Sequence, residues 1–168
     1  VRPVLIGIAP ARAGDEGQPL SCIAPQSTGR KIQDMAGLKR LEYLNGFDRV
    51  NVCPFPQPST IKPKEWHQAA ENLAGSILRG RRVVLLGPNV AECFGIKRTV
   101  YEYCTWHKNR GGVSGAIGWR VGSALPFSWA VLPHPSGRNR WYNEQENVDR
   151  ASKFLKELII DCSTEETG

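Results

Sequence analysis

Hydrophobic and polar positions alternate in blocks along the chain. Val4-Leu-Ile-Gly-Ile8 is a continuous apolar run of strand length, the pattern of a strand covered on both faces. Ala9 to Pro25 has no helical period and is broken by Gly14, Gly17, Pro19 and Pro25, so it is expected to be a long loop. From Thr28 to Leu44, apolar residues at Ile32, Met35, Leu38, Leu41 and Leu44 step as on one helix face, with Gly37 inside. Phe47 to Cys53 forms a second short strand, stopped by Pro54, Pro56 and Pro58. Pro63 opens a helix whose face is Trp66, Ala70, Leu73 and Ile77. Arg82 to Leu86 is a third strand, followed by Gly87-Pro88 and a short helix from Asn89 to Phe94. Tyr101 to Ser123 is glycine-rich and is expected to be mostly loop, with a short strand near Ile117. Trp129 to Leu132 is the last strand. It empties into His134-Pro-Ser-Gly-Arg-Asn-Arg-Trp-Tyr-Asn143, ahead of a helix to Ile160 that buries Val148, Ala151, Leu155, Leu158 and Ile159.

Strands alternating with helices predict an α/β fold, a three-layer α/β/α arrangement around a mainly parallel sheet of about four strands. Ligands of such sheets bind outside the carboxyl ends of the strands, where the strand order reverses. The loops after each strand are therefore expected to meet in one crevice. The 134–143 loop brings an imidazole, two guanidiniums, a hydroxyl, amides and two aromatic rings, a mixture that suits an anionic backbone and a flat base. A solvated turn in which Asn143 caps the next helix is the alternative.

At 168 residues the chain has the size of one domain, expected over 1–162 with a flexible tail at 163–168. No apolar run approaches a membrane span, and neither a membrane partner nor a secretory leader is expected. The net charge of +6 permits a polyanionic partner. Cys22, Cys53, Cys93, Cys104 and Cys162 are scattered without a C-x-x-C pair, which favours a reduced compartment over a disulfide framework. His67, His107 and His134 are far apart in sequence, so no metal site is expected.

Three segments, in this order, resemble the uracil-DNA glycosylase superfamily. Gly7-Ile-Ala-Pro10, with Gly17-Gln-Pro-Leu-Ser21 and Gly29-Arg30, is similar to the first motif, nearest the branches that read G-E-A-P-G or G-L-A-P-A. Val50-Asn-Val-Cys-Pro-Phe-Pro56, with Lys62-Pro63 and Glu65, resembles the strand and Pro-rich turn that present an amide to a pyrimidine. His134-Pro-Ser-Gly-Arg-Asn139 resembles a blend of the H-P-S-P and N-P-S-G forms of the last motif. The likeness spans roughly residues 3–160.

The resemblance implies a monomeric DNA glycosylase that flips a uracil or modified pyrimidine out of single- or double-stranded DNA and hydrolyses its N-glycosidic bond. It implies that His134 stabilises the departing base anion and Asn51 reads the base edge. Ala9, Pro10, Leu20 and Phe55 would line the base site. Asn51 bonded to neighbouring backbone and Phe55 filling the core are the structural alternatives. Ser21, Ser136, Gly137, Arg138, Asn139 and Arg140 would contact DNA, with Arg138 at the wedge position; Trp141 and Tyr142 would stack on exposed bases or pack the helix. The water-positioning Asp, Asn or Glu of relatives is replaced by Ile8 and Ala9, leaving Asp15 and Glu16 as candidate carboxylates or as solvated loop charges. The related branch stacks the base on Pro-Phe, where this chain has Pro19-Leu20.

No cofactor is expected. Cys53 matches one ligand position of an iron–sulfur branch, but its partner cysteines are missing and an ordinary buried thiol is the expectation. No lysine lies in the matched motifs, which argues against a lyase. The expected location is the cytoplasm, at a nucleoid or as a viral protein in a host cell. Three rivals remain: a remodelled relative acting on a hypermodified pyrimidine, including by group transfer; a non-catalytic DNA-binding module; and an unrelated small-molecule enzyme.

Overall fold

The computed structural model describes residues 1–10, 18–55, 62–108, 125–136 and 139–164. Four strands, β1 (Val4–Gly7), β2 (Asp48–Asn51), β3 (Arg82–Leu86) and β4 (Ser128–Leu132), form one sheet in the order β2-β1-β3-β4. Every pairing is parallel. The helices are α1 (Thr28–Ala36), α2 (Arg40–Gly46), α3 (His67–Gly75), α4 (Pro88–Cys93) and α5 (Gln145–Thr164).

Alternate strand residues feed two cores, as a pleated sheet requires. Val4, Ile6, Val83, Leu85, Trp129 and Val131 face one way and pack with Ala70, Ala74, Val90, Ala91 and Phe94 of the α3–α4 side. Leu5, Val84, Leu86, Ala130 and Leu132 face the other way, against Ile32, Ala36, Tyr43, Ala151, Leu155 and Leu158 of α1, α2 and α5. The result is the expected three-layer α/β/α architecture. Complete burial of each such aliphatic side chain contributes about 1.5–3 kcal/mol, so the sheet is the organising element.

The single helix expected over 28–44 is two. Gly37 adopts φ +66 and its amide bonds back to Asp34 and Gln33, ending α1; Lys39 starts α2 in a capping box with Glu42. A left-handed C-cap is the ordinary use of glycine at a helix end. The break re-phases the second half, so Tyr43 is fully buried while Leu41 is 70% exposed. The third helix begins as a 3-10 turn at Pro63–Trp66, and there Ile77 is exposed while Ala74 and Leu78 are buried. Of the segment after Tyr101, the described part covers the β4 edge: Cys104 donates to Val131 O at 2.9 Å, and His107 and Trp129 exchange backbone bonds. The strand expected near Ile117 lies outside the described residues. Backbone α5 continues to Thr164, so Ser163 and Thr164, expected in a flexible tail, are helical.

Candidate active site

The strand order reverses between β1 and β3, since β2 lies on one side of β1 and β3 and β4 on the other. Their carboxyl ends are Gly7 and Leu86-Gly87, and both glycines sit where a side chain would collide with a predicted site residue. In register, Gly7 pairs with Asn51. A Cβ on Gly7 would stand 2.5 Å from Asn51 Oδ1 and 2.9 Å from Leu20 Cδ2. A Cβ on Gly87, which has φ +98, would stand 3.1 Å from His134 Cβ. Gly87 N also donates to Leu132 O at 2.8 Å, tying β3 to β4 just before the His134 loop. Bare backbone at the two strand ends thus leaves room for Asn51 on one side and His134 on the other.

Asn51 closes β2 half-buried, and its Oδ1 is buried with no hydrogen-bond partner among the described residues. An unmet buried acceptor costs about 1–3 kcal/mol. The alternative that Asn51 satisfies neighbouring backbone does not describe this oxygen.

Leu20 joins the two sides. Its backbone is left-handed, with φ +52, a conformation that costs a non-glycine residue roughly 1–2 kcal/mol. Two contacts hold it: Tyr43 OH donates to Leu20 O at 2.9 Å, and Gly29 lies so close to that carbonyl that no side chain would fit between them. Ser27 then caps α1 by accepting from Arg30 N at 3.2 Å. The start of α1 thus places Thr28 Oγ1 3.3 Å from His134 Nε2. A hydroxyl both donates and accepts, so Thr28 fits either imidazole tautomer.

The loop carrying His134 ties itself down. Asn139 Nδ2 donates to His134 O at 3.1 Å, while Asn139 Oδ1 accepts from Trp141 N at 3.1 Å. Tyr142 OH donates to Pro133 O at 2.7 Å. Burial, and then the Lys31 cation, hold the His134 imidazole below its ordinary value of 6.5. The neutral ring is therefore the form present near neutral pH, with one N–H to donate and one nitrogen to accept.

Several expected site residues stand elsewhere or do other work. Ser21 is 8% exposed and its hydroxyl accepts from Ile23 N at 3.3 Å, so here it supports a turn. Phe55 is 66% exposed rather than part of the core. Ala9, Pro10 and Ser136 are half-buried near the strand ends, and Arg140 is exposed. Trp141 meets the Tyr103 ring at 5.6 Å and the Tyr142 ring at 5.0 Å, a packed aromatic cluster. Cys53 is buried, and its thiol donates to Phe55 O at 3.0 Å. Asp15, Glu16, Gly137 and Arg138 lie outside the described residues. Among the described residues no group of three or more His, Cys, Asp or Glu is placed to hold a metal ion, and no helix is long and apolar enough to cross a membrane.

Thr28, Lys31, Tyr43 and Gly87 are contributions that sequence reasoning missed. Thr28 alone left a signal, as the residue after a capping serine at the mouth of a loop. The others act through contacts far away in the chain.

A doubly wound parallel sheet with polar side chains gathered at its switch point defines an α/β protein with a ligand crevice outside β1 and β3. The chain belongs to the uracil DNA glycosylase superfamily, whose family model matches residues 1–159. That membership supports a glycosylase-like function, with DNA as partner. A search of curated proteins found no match to the chain.

Proposed function

We propose that the protein is a DNA glycosylase that flips a uracil or modified pyrimidine out of single- or double-stranded DNA and hydrolyses its N-glycosidic bond. The observation that carries this reading is the buried, unpartnered Asn51 Oδ1 beside Gly7. An acceptor held without a partner calls for an N–H from a ligand, and the N3–H of uracil and related pyrimidines supplies one.

On this reading the base enters between Asn51 and His134, with Ala9, Pro10 and Leu20 as its walls and Phe55 as a stacking plate. The sugar–base bond breaks with cationic character on the sugar, while negative charge gathers on the base. His134 donates an N–H to a base carbonyl oxygen as that charge develops, and a neutral imidazole does so without first losing a proton. Thr28 and Asn139 position it. Asp15 or Glu16 guides the attacking water. Ser136, Gly137, Arg138 and Arg140 take DNA contacts, in which backbone phosphates fix register. The domain runs through α5 to Thr164 and acts as a monomer in the cytoplasm.

The test uses end-labelled oligonucleotides, single- and double-stranded, each holding one uracil, thymine, hypoxanthine, 5-hydroxymethyluracil or mismatch. Alkali then reveals abasic sites, with His134→Ala run in parallel. Cleavage at one base, lost in the variant, supports the reading. Excision of 5-substituted uracil but not of uracil would move it to a remodelled relative, a possibility motivated by Ala9 and Leu20 where relatives carry an acid and an aromatic ring. Salt-sensitive DNA binding without any cleavage, unchanged in His134→Ala, would leave a binding module.

A further inference from the structure

On the α3–α4 side of the sheet, outside the crevice just described, lies a cavity of about 340 Å³. Its lining includes Lys64, His67, Pro88, Glu92, Lys97 and Arg98. Three cations face one carboxylate, so the lining is net positive. Arg98 is already oriented: its Nη1 donates to Tyr101 O at 2.8 Å, and its guanidinium lies 4.9 Å and 4.4 Å from the Tyr101 and Tyr103 ring centres. A guanidinium held this way loses less freedom on meeting an anion. Lys64 and Lys97 are exposed and can swing to the same ligand.

The remaining wall is apolar, from Pro88, Gly95 and Ile96. His67 is fixed in it by Nδ1, which must donate to Cys93 O at 2.8 Å because a carbonyl only accepts. His67 Nε2 is buried with no partner among the described residues. The volume falls at the lower end of the roughly 300–1,000 Å³ usual for small-molecule sites. It is larger than one phosphate needs and suits a phosphate joined to a sugar and a ring.

We infer that this cavity binds a single phosphorylated nucleotide unit, its phosphate on Lys64, Lys97 and Arg98 and its ring against Pro88 and Ile96. Pro88 directly follows Gly87, the glycine packed beside His134. One lining residue of the cavity is thus the chain neighbour of a glycine in the candidate active site. Two sources share the chemistry: a nucleotide of a DNA strand running on from the crevice, or a free mononucleotide. Only the strand source rests on the glycosylase reading.

Wild-type protein and His134→Ala are each titrated with deoxythymidine monophosphate and with thymidine, by calorimetry and by amide shifts of isotopically labelled protein. The monophosphate is expected to bind both proteins and to shift the Gly95, Ile96 and Lys97 amides. Thymidine is expected to bind at least roughly tenfold more weakly, since exposed charge contacts each contribute up to about a factor of five. The double substitution Lys64→Glu with Lys97→Glu changes two exposed side chains, and it should cut monophosphate affinity by a similar factor while leaving thermal stability unchanged. Equal binding of thymidine, unmoved 95–97 amides, or no saturable monophosphate binding would overturn the inference. A thymine oligonucleotide separates the sources. Weakened oligonucleotide binding by the double variant, with competition by the monophosphate, indicates the strand; retained oligonucleotide binding with lost monophosphate binding indicates the free nucleotide. Base excision is read separately through His134, so failure of the glycosylase reading leaves this outcome distinct.

Discussion

Thr28 and His134 are 106 positions apart in the chain, and their side chains meet at 3.3 Å between Oγ1 and Nε2. The contact joins the start of α1 to the loop after β4. Thr28→Val keeps the branched shape and removes the hydroxyl. We expect excision kcat/KM to fall up to about tenfold, the equivalent of one hydrogen bond of roughly 0.5–1.5 kcal/mol. Because Thr28 acts through His134, the imidazole nitrogen shifts should change with it. Unchanged shifts together with unchanged kinetics would remove Thr28 from the site.

The pH dependence has a defined sign. Burial, then Lys31, depress the His134 value below 6.5, and burial depresses that of His107 while Glu102 opposes it. An unfolded chain therefore takes up these protons first on acidification. The stability contribution is complete above 6.5, is lost as pH falls from there to the depressed folded values, and is constant below them. His134→Gln should flatten its share of the melting-temperature slope in that window, and His107→Gln the rest. Lys31→Met should move the His134 titration upward, read by NMR; a titration that stays in place would show that Lys31 does not act on the ring.

Asn51 sets stability against function. Replacing it by leucine removes the unpartnered acceptor and should stabilise the protein by about 1 kcal/mol, a rise in Tm of roughly 2–4 °C for a chain of this size. Excision should be lost. A variant that is less stable than the wild type would mean that Oδ1 is satisfied in solution.

Gly7→Ala drives a methyl into Asn51 Oδ1 and Leu20 Cδ2. The overpacking should cost about 1–3 kcal/mol and displace the Asn51 amide. Combined with Asn51→Ala it should cost less than the sum of the two single changes, because one of the colliding atoms is gone. Strict additivity in denaturant melts would refute the contact.

Tyr43 lies at 0% exposure and its hydroxyl holds Leu20 O. Tyr43→Phe should destabilise by about 0.5–1.5 kcal/mol and release the left-handed turn at Leu20. Hydrogen exchange of the 20–23 amides should accelerate more than that of the β3 amides. Equal acceleration in both would indicate global rather than local loosening.

The local pattern determined the sheet. Continuous apolar runs at 4–8, 83–86 and 129–132 can be buried only between two helix layers, and their parallel pairing follows from the helices between them. His134 was legible at the head of the polar loop after the last of these runs, and Asn51 through the motif that its strand resembles. The break at Gly37 was less so: three-residue apolar stepping continues across it by coincidence, and only the left-handed cap reveals that Tyr43 and not Leu41 turns inward.

Tertiary structure alone decided which residues surround those two. Gly7 makes room for Asn51, Gly87 for His134, and Gly29 admits the Leu20 carbonyl that Tyr43 holds. Thr28 meets His134 only because α1 and the β4 loop end at the same edge of the sheet. Periodicity reports which face of an element is apolar, a property of neighbours along the chain. A missing methyl, a left-handed leucine and a hydroxyl beside an imidazole are defined by distances between segments, and no pattern within one segment encodes them.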